Sequence, residues 1–319
     1  MLVTGASGFL GKNICEKLLE NGYKVRGLVR NLEAGLPYNS RMEYVAGDIL
    51  DPPSLEGACR NVFAVVHAAG LAHVSNVNEE ELEKTNVTGT KLIVAATLNN
   101  SVRKFILISS ALASTVSEGR YESTKYAQSK DDAEKIVMAA HRSDQLEAVI
   151  LRPANVYGVG MRGNIVFLMS LIRRGIAPRL PNSGSKVSLV GVRDFSEAVI
   201  LAVKSDRATG RTYVVTDGRE YNLNEIERKI YSAANRRMPA IKVPGLILYL
   251  IFFTIGLMNR ILLHFRIRLT TLGGISLRTY ASLFGDRLYD NSEIKDELNF
   301  NPESSFYDSL EEIMNGFEG

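Results

Sequence analysis

The chain has 319 residues, 45% hydrophobic and 23% charged, which suits one large domain plus a smaller lobe with a core that needs no covalent staples. A net charge of +3 and a pI near 8.7 are too mild for a nucleic-acid binder, and no short window interleaves Lys and Arg with aromatics. Cys15 and Cys59 have neither CxxC nor His-rich spacing, so a metal site or a disulfide framework has no support and a reducing, cytoplasmic compartment is expected.

The start Met1-Leu2-Val3-Thr4 turns at once into Gly5, which reads as a first strand with no room for a signal peptide. Helix-length patterns at Gly11 to Asn21, Glu79 to Asn99 and Glu122 to His141 then alternate with apolar runs of strand length. Those runs are Tyr23 to Val29, Met42 to Ala46, Val62 to His67, Lys104 to Ile108 and Ala148 to Leu151. Such alternation predicts an α/β fold, a doubly wound parallel sheet with helices on both faces. Past Pro153 the pattern becomes irregular, with turns at Pro178, at Pro181-Asn182-Ser183-Gly184 and at Thr216-Asp217-Gly218. The expected division is therefore a dinucleotide-binding domain over 1–152, with most of 153–319 forming a smaller substrate lobe and parts of it returning to the main domain.

One later segment, Gly245 to Met258, is apolar all round apart from a threonine and is flanked by Arg236, Arg237 and Lys242 before and Arg260, Arg266 and Arg268 after. Fourteen helical residues span roughly 21 Å, short of the ~30 Å hydrocarbon core. Three readings stay open: a helix roofing the substrate pocket, peripheral contact with an anionic membrane surface, or a span if the helix continues to Phe265 and carries Asn259, Arg260 and His264 with it.

Between the first strand and the first helix stands Val3-Thr4-Gly5-Ala6-Ser7-Gly8-Phe9-Leu10-Gly11. Glycines 5, 8 and 11 permit a tight turn, let backbone N–H groups reach a pyrophosphate and let the helix pack on the strand. This is a dinucleotide-binding pattern. The second strand ends Leu28-Val29-Arg30-Asn31, with no carboxylate to hold a ribose 2′-hydroxyl. Arg30 suits a bidentate pair with a 2′-phosphate, which favours NADP over NAD; the alternative is a solvated strand-end charge.

The GxxGxxG spacing resembles that of the extended short-chain dehydrogenase/reductase family. Further matches follow in order: Gly47-Asp48-Ile49, His67-Ala68-Ala69-Gly70, Asn86-Val87-Thr88-Gly89-Thr90, Ser109-Ser110-Ala111, Tyr126-Ala127-Gln128-Ser129-Lys130 and Leu151-Arg152-Pro153-Ala154-Asn155-Val156-Tyr157-Gly158. They cover the first half of the chain densely and are nearest to the dihydroflavonol reductase and 3β-hydroxysteroid dehydrogenase branch. The resemblance implies a Rossmann-type domain in which Asp48 and Ile49 face the adenine and Ala68, Ala69 and Gly70 pass beneath the dinucleotide. Pro153, Tyr126 and Lys130 complete the cofactor's surroundings. It also implies a homodimer through the helices bearing Tyr126 and Asn86.

Two overlapping pairs, Tyr121/Lys125 and Tyr126/Lys130, have the i, i+4 spacing that puts both side chains on one helix face. A tyrosine with a pKa near 10 is a poor base at neutral pH, and a nearby lysine cation together with an oxidised nicotinamide ring is expected to lower it by favouring phenolate. Ser110, ending a central strand, would hold the same substrate oxygen. Tyr126/Lys130 is preferred because Asp131-Asp132-Ala133-Glu134 keeps it within the helix. The resemblance adds Asn86, which helps place the lysine. His67 and His73 read as packing or cofactor-loop residues.

Dehydratases of this family have an acid pair where Ala111-Leu112 stands, and its nucleotide-sugar epimerases often have an arginine where Val187 stands. Arg162, Lys186 or Arg193 would have to compensate. The expectation is therefore an NADP(H)-linked ketone/alcohol oxidoreductase acting on a small lipophilic or lipid-linked molecule. The alternatives are an NAD-dependent nucleotide-sugar 4-epimerase and a non-catalytic dinucleotide-binding module.

Overall fold

The computed structural model describes residues 1–32, 39–72, 79–117, 124–143, 145–264 and 285–316. Seven parallel strands form the main sheet in the order β3-β2-β1-β4-β5-β6-β9: β1 (Leu2–Thr4), β2 (Val25–Val29), β3 (Met42–Ala46), β4 (Ala64–His67), β5 (Lys104–Ile108), β6 (Glu147–Pro153) and β9 (Thr212–Val215). Every residue of β1, β4 and β5 is buried, as a strand covered on both faces requires. The strand order reverses between β1 and β4, whose Thr4 and His67 are register partners at the carboxyl edge. That reversal is where open α/β sheets bind their ligands.

Helix α1 (Phe9–Glu20) buries Ile14, Cys15, Leu18 and Leu19 on one face of the sheet and ends where the Asn21 side chain donates to Lys17 O. On the other face, α2 (Pro52–Cys59), α4 (Gly89–Asn99) and α6 (Lys125–Arg142) cover β4 and β5 through Leu55, Ile93 and Val137. Between α3 (Glu79–Leu82) and α4 the helical run widens into a π segment, Glu83–Thr88. The run expected over Glu79 to Asn99 is thus continuous in direction but not in hydrogen-bond period.

A second, three-stranded sheet has the order β10-β8-β7: β7 (Asn155–Tyr157) runs parallel to β8 (Lys186–Gly191), and β10 (Glu220–Asn222) is antiparallel to it. Around it pack α7 (Asn164–Arg174), α9 (Leu223–Ala233), α10 (Gly245–His264) and the terminal helix Phe306–Asn315. The chain is threaded back: α8 (Val192–Lys204) packs on α1, and β9 completes the main sheet beside β6.

Candidate active site

The loop from β1 to α1 leaves no space for side chains at two of its glycines. Gly5 has φ +68, and a Cβ there would sit 2.8 Å from the Ala69 backbone; a Cβ on Gly11 would sit 2.0 Å from the Gly5 oxygen. Gly8 precedes α1 with no side-chain cap and no acidic residue in the first turn, and both Ser7 and Gly8 are exposed. A helix start of this kind favours an anion on its free N–H groups. The cradle fits a pyrophosphate, with Ala68, Ala69 and Gly70 forming its other wall.

Behind that wall lies a buried hydrogen-bond chain that the sequence did not announce. Ala69 N–H donates to Thr4 Oγ1 at 3.1 Å, Thr4 Oγ1 meets His67 Nδ1 at 2.7 Å, His67 Nε2 meets Thr90 Oγ1 at 3.1 Å, and the Thr90 hydroxyl donates to Asn86 O at 2.6 Å. The Thr90 proton is committed to Asn86, so His67 must donate from Nε2 and accept at Nδ1. Neutral imidazole satisfies every partner. Burial, and secondarily the Lys130 charge, push its pKa down to about 3. His67 is a spacer between cradle and helix, in line with its expected packing role. His73 lies outside the described residues.

Asn86 sits in the π segment with its amide fully used. Oδ1 accepts from Leu71 N at 2.8 Å, and Nδ2 donates to Leu71 O at 3.1 Å and to Ser129 Oγ at 2.9 Å. It thereby ties the loop after β4 to α6. The Asn86 oxygen and the Lys130 ammonium both border Gly70, lying 3.1 and 3.2 Å from where its Cβ would be. A side chain at position 70 would have to push one of them aside.

Helix α6 begins at Lys125 because Thr124 caps it, its hydroxyl accepting from Ala127 N at 3.1 Å. The start is three residues later than the pattern predicts. Lys125 is consequently an exposed first-turn residue, 3.4 Å from the Glu79 carboxylate, while Tyr121 lies outside the described residues. Tyr126 and Lys130 lie one turn apart within the helix. The Ser110 hydroxyl, just past β5, lies beside the Tyr126 phenol and accepts from Leu112 N at 3.2 Å. Lys130 is buried and donates to Ile108 O at 3.0 Å.

Among the chain's own groups, burial pushes Tyr126 up to about 12, with Ser110 pulling the other way. Burial also pushes Lys130 down to about 8, against the pull of the Glu134 carboxylate. At neutral pH the chain's own groups therefore present a protonated phenol, a proton donor.

Sequence reading missed the support behind Lys130. Glu134, one turn further along α6, is buried and takes a bidentate pair from Arg152 on β6, with Arg152 Nη2 to Glu134 Oε2 at 2.6 Å and Nε to Oε1 at 2.9 Å. The Ser109 hydroxyl donates to the same carboxylate. The signal was present in Ala133-Glu134 and Leu151-Arg152-Pro153, but nothing in their spacing pairs them.

Other expected positions are placed as follows. Arg30 is exposed just past β2 and has no ion-pair partner among the described residues. Asp48 turns its carboxylate onto Leu50 N at 2.9 Å, and Ile49 packs against Gly89 of α4. Phe9 packs near Gly158 and Gly160, joining the cradle to the second lobe. Pro153 is buried at the end of β6, and Asn155 is exposed. Tyr157 is not a substrate-facing residue: it is buried, and its hydroxyl lies 3.0 Å from Ser304 O and 3.4 Å from the Asp217 carboxylate. Lys186 pairs with Glu220 at 2.6 Å and Arg193 with Glu312 at 3.1 Å, so neither is a free cation; Val187 is buried in the lobe core.

A reversed-order parallel sheet, a glycine cradle at its switch point, Ser110 just past β5 and a Tyr-Lys pair on α6 are the parts of a nicotinamide-dinucleotide enzyme of Rossmann type. The model of the NAD dependent epimerase/dehydratase family matches residues 1–216, and the chain belongs to that family. It is 28% identical over 263 residues to UDP-glucose 4-epimerase of Vibrio cholerae, covering 76% of this chain and 78% of the relative. It is 27% identical over 267 residues to 3-beta-hydroxysteroid dehydrogenase of Mycolicibacterium neoaurum, covering 77% and 73%. Among solved structures, gox2253 superposes with a TM-score of 0.77 at 26% identity, covering 99% of this chain and 97% of the other. The chain is thus an NAD(P)-dependent enzyme of the short-chain dehydrogenase/reductase type.

Proposed function

We propose that this enzyme interconverts a ketone and a secondary alcohol on a lipophilic or lipid-linked substrate, using NADP(H). The observation that carries the cofactor choice is the end of β2, where Arg30 stands exposed and the next two residues are Asn31 and Leu32. A carboxylate there would repel a 2′-phosphate, whereas a guanidinium can bind it bidentately.

A nicotinamide dinucleotide, when bound, supplies or takes up the hydride. The chain's residues do the rest. Ser110 and Tyr126 hydroxyls together hold the substrate oxygen, and Tyr126 gives it a proton during reduction or removes one during oxidation. Lys130, held by Ile108 O and facing Gly70, keeps positive charge beside the cofactor's path. The lobe supports this substrate class. Val187 is apolar and Lys186 and Arg193 are already paired, which leaves Arg162 as the one cation of the three expected to compensate, and a diphosphate buried with so little charge beside it would be costly.

A second reading, a nucleotide-sugar 4-epimerase, is favoured by the similarity to the Vibrio cholerae enzyme. Fluorescence titration of cofactor-stripped protein with NADPH and NADH, together with identification of any copurifying dinucleotide, separates the two. Easy exchange and an NADPH preference that Arg30→Glu weakens by on the order of 10- to 100-fold support the reductase. Tightly retained NAD⁺ and an Arg30→Glu variant with unchanged preference would overturn it in favour of the epimerase.

A further inference from the structure

Helix α10 is seated on the second lobe by one stripe only. Leu248 and Phe252 are 3% and 8% exposed, and Ile255 continues the same face. At 100° per residue, the opposite side of the helix is lined by Leu246, Leu250, Phe253 and Leu257. In a helix that merely roofs a soluble lobe those positions are polar. Here all four are large, apolar and exposed, Leu246 at 71%.

The surroundings of that stripe are cationic. Arg236 Nη2 donates to Arg173 O at the end of α7, and Arg179 Nη1 donates to Ala240 O, with Val243 N returning to Arg179 O. These bonds gather Arg173, Arg174 and Arg179 beside the segment Arg236, Arg237 and Lys242 that leads into α10. Exposed Ile176 and Ile241, the latter at 84%, sit among them. None of Arg174, Arg179, Arg236, Arg237 or Lys242 is in an ion pair among the described residues. The sequence explains why: from 148 to 193 and again from 228 to 285 there is no Asp or Glu, while the second stretch has nine Lys and Arg.

We propose that this face docks on the surface of an anionic lipid bilayer, with α10 lying in the interfacial plane. A stripe of Leu and Phe enters the acyl boundary while the cations at the helix entrance meet lipid phosphates. Among the described residues no helix is long and apolar enough to cross a membrane, and burial of Leu248 and Phe252 against the lobe keeps α10 part of the fold. A patch of this size left in water would be an aggregation liability. The proposal is independent of which cofactor or ketone the site uses.

The test is cosedimentation of the full chain with vesicles of equal parts phosphatidylglycerol and phosphatidylcholine, and with phosphatidylcholine alone, at low and high salt. Binding to the anionic vesicles is expected, weakened by salt. The R236Q/R237Q/K242Q variant should partition on the order of 100-fold less, each surface cation being worth about a fivefold change. Leu250→Glu with Phe253→Glu, both exposed positions, should abolish binding while dinucleotide titration stays unchanged. Equal recovery in the supernatant, equal binding to neutral vesicles, or variants that sediment like wild type would overturn the proposal. A wild-type dimer in ultracentrifugation that the Leu250/Phe253 variant converts to monomer, without vesicle binding, would overturn it too and assign the face to a second copy of this chain.

Discussion

Lys130→Met separates what the lysine costs the fold from what it does in the site. Burial moves its pKa from 10.5 to about 8, which corresponds to about 3 kcal/mol of penalty on the charged form. The sign follows from proton counting. Between about pH 8 and pH 10.5 the unfolded chain holds a proton that the folded chain has released, so stability rises with pH across that window. The penalty is fully present below about pH 8 and gone above about pH 10.5. Methionine removes the cation but leaves Ile108 O without its donor, a loss of roughly 1–3 kcal/mol. At pH 7 the two effects roughly cancel, and the variant is as stable as wild type. From pH 7 to pH 10 wild type should gain about 2 kcal/mol relative to the variant, other groups cancelling in the comparison. Denaturant unfolding of cofactor-free protein at a series of pH values measures this. Parallel profiles for the two proteins would refute the assignment of a strained, buried ammonium.

Three further outcomes are expected. Tyr126→Phe should abolish turnover while dinucleotide titration stays within a few-fold of wild type; a fully active variant would transfer the acid/base role to Tyr121. Glu134→Gln leaves the Arg152 guanidinium partly buried without its counter-charge and should lower unfolding free energy by about 3 kcal/mol, with Glu134→Gln/Arg152→Met recovering part of it. If the single variant loses under about 1 kcal/mol in denaturant unfolding, the pair is no more than a surface contact. Gly11→Ala drives a methyl to 2.0 Å from the Gly5 oxygen, so dinucleotide affinity should collapse even where the protein still folds; unchanged affinity by titration would mean the cradle is not where the cofactor sits.

Local chemistry explains which elements were legible. Met42–Ala46 and Lys104–Ile108 match their runs to the residue: Lys104–Ile108 is buried on both faces and has no other way to look, while the edge strand Met42–Ala46, with Glu43 and Ala46 exposed, is marked by its strand-favouring Tyr44 and Val45. Two of the cradle glycines were legible because they stand where a Cβ has no room, Gly5 also with a positive φ. The start of α6 was misjudged because Thr124 is one polar residue among several, and only its bond to Ala127 N distinguishes the cap. The π segment left no trace in apolar spacing, since Asn86 and Thr90 turn inward to polar partners rather than to the core.

What resists sequence reading most is polar contact between distant segments, and Tyr157 shows the consequence. It stands in a motif that resembles the family's, yet what holds it comes from far along the chain: Asp217 gathers Tyr157 and Tyr221, and Asp194 accepts from Glu303 N and Ser304 N, drawing the C-terminal segment over it. Burial holds the Tyr157 and Tyr221 phenols protonated, and Asp217 well above the usual carboxylate range. This knot closes the second lobe with residues beyond 216, where the family match ends. The candidate site therefore lies within the shared first two-thirds. The shape of the second lobe depends on the segment that follows, which is also where the cationic, apolar face lies.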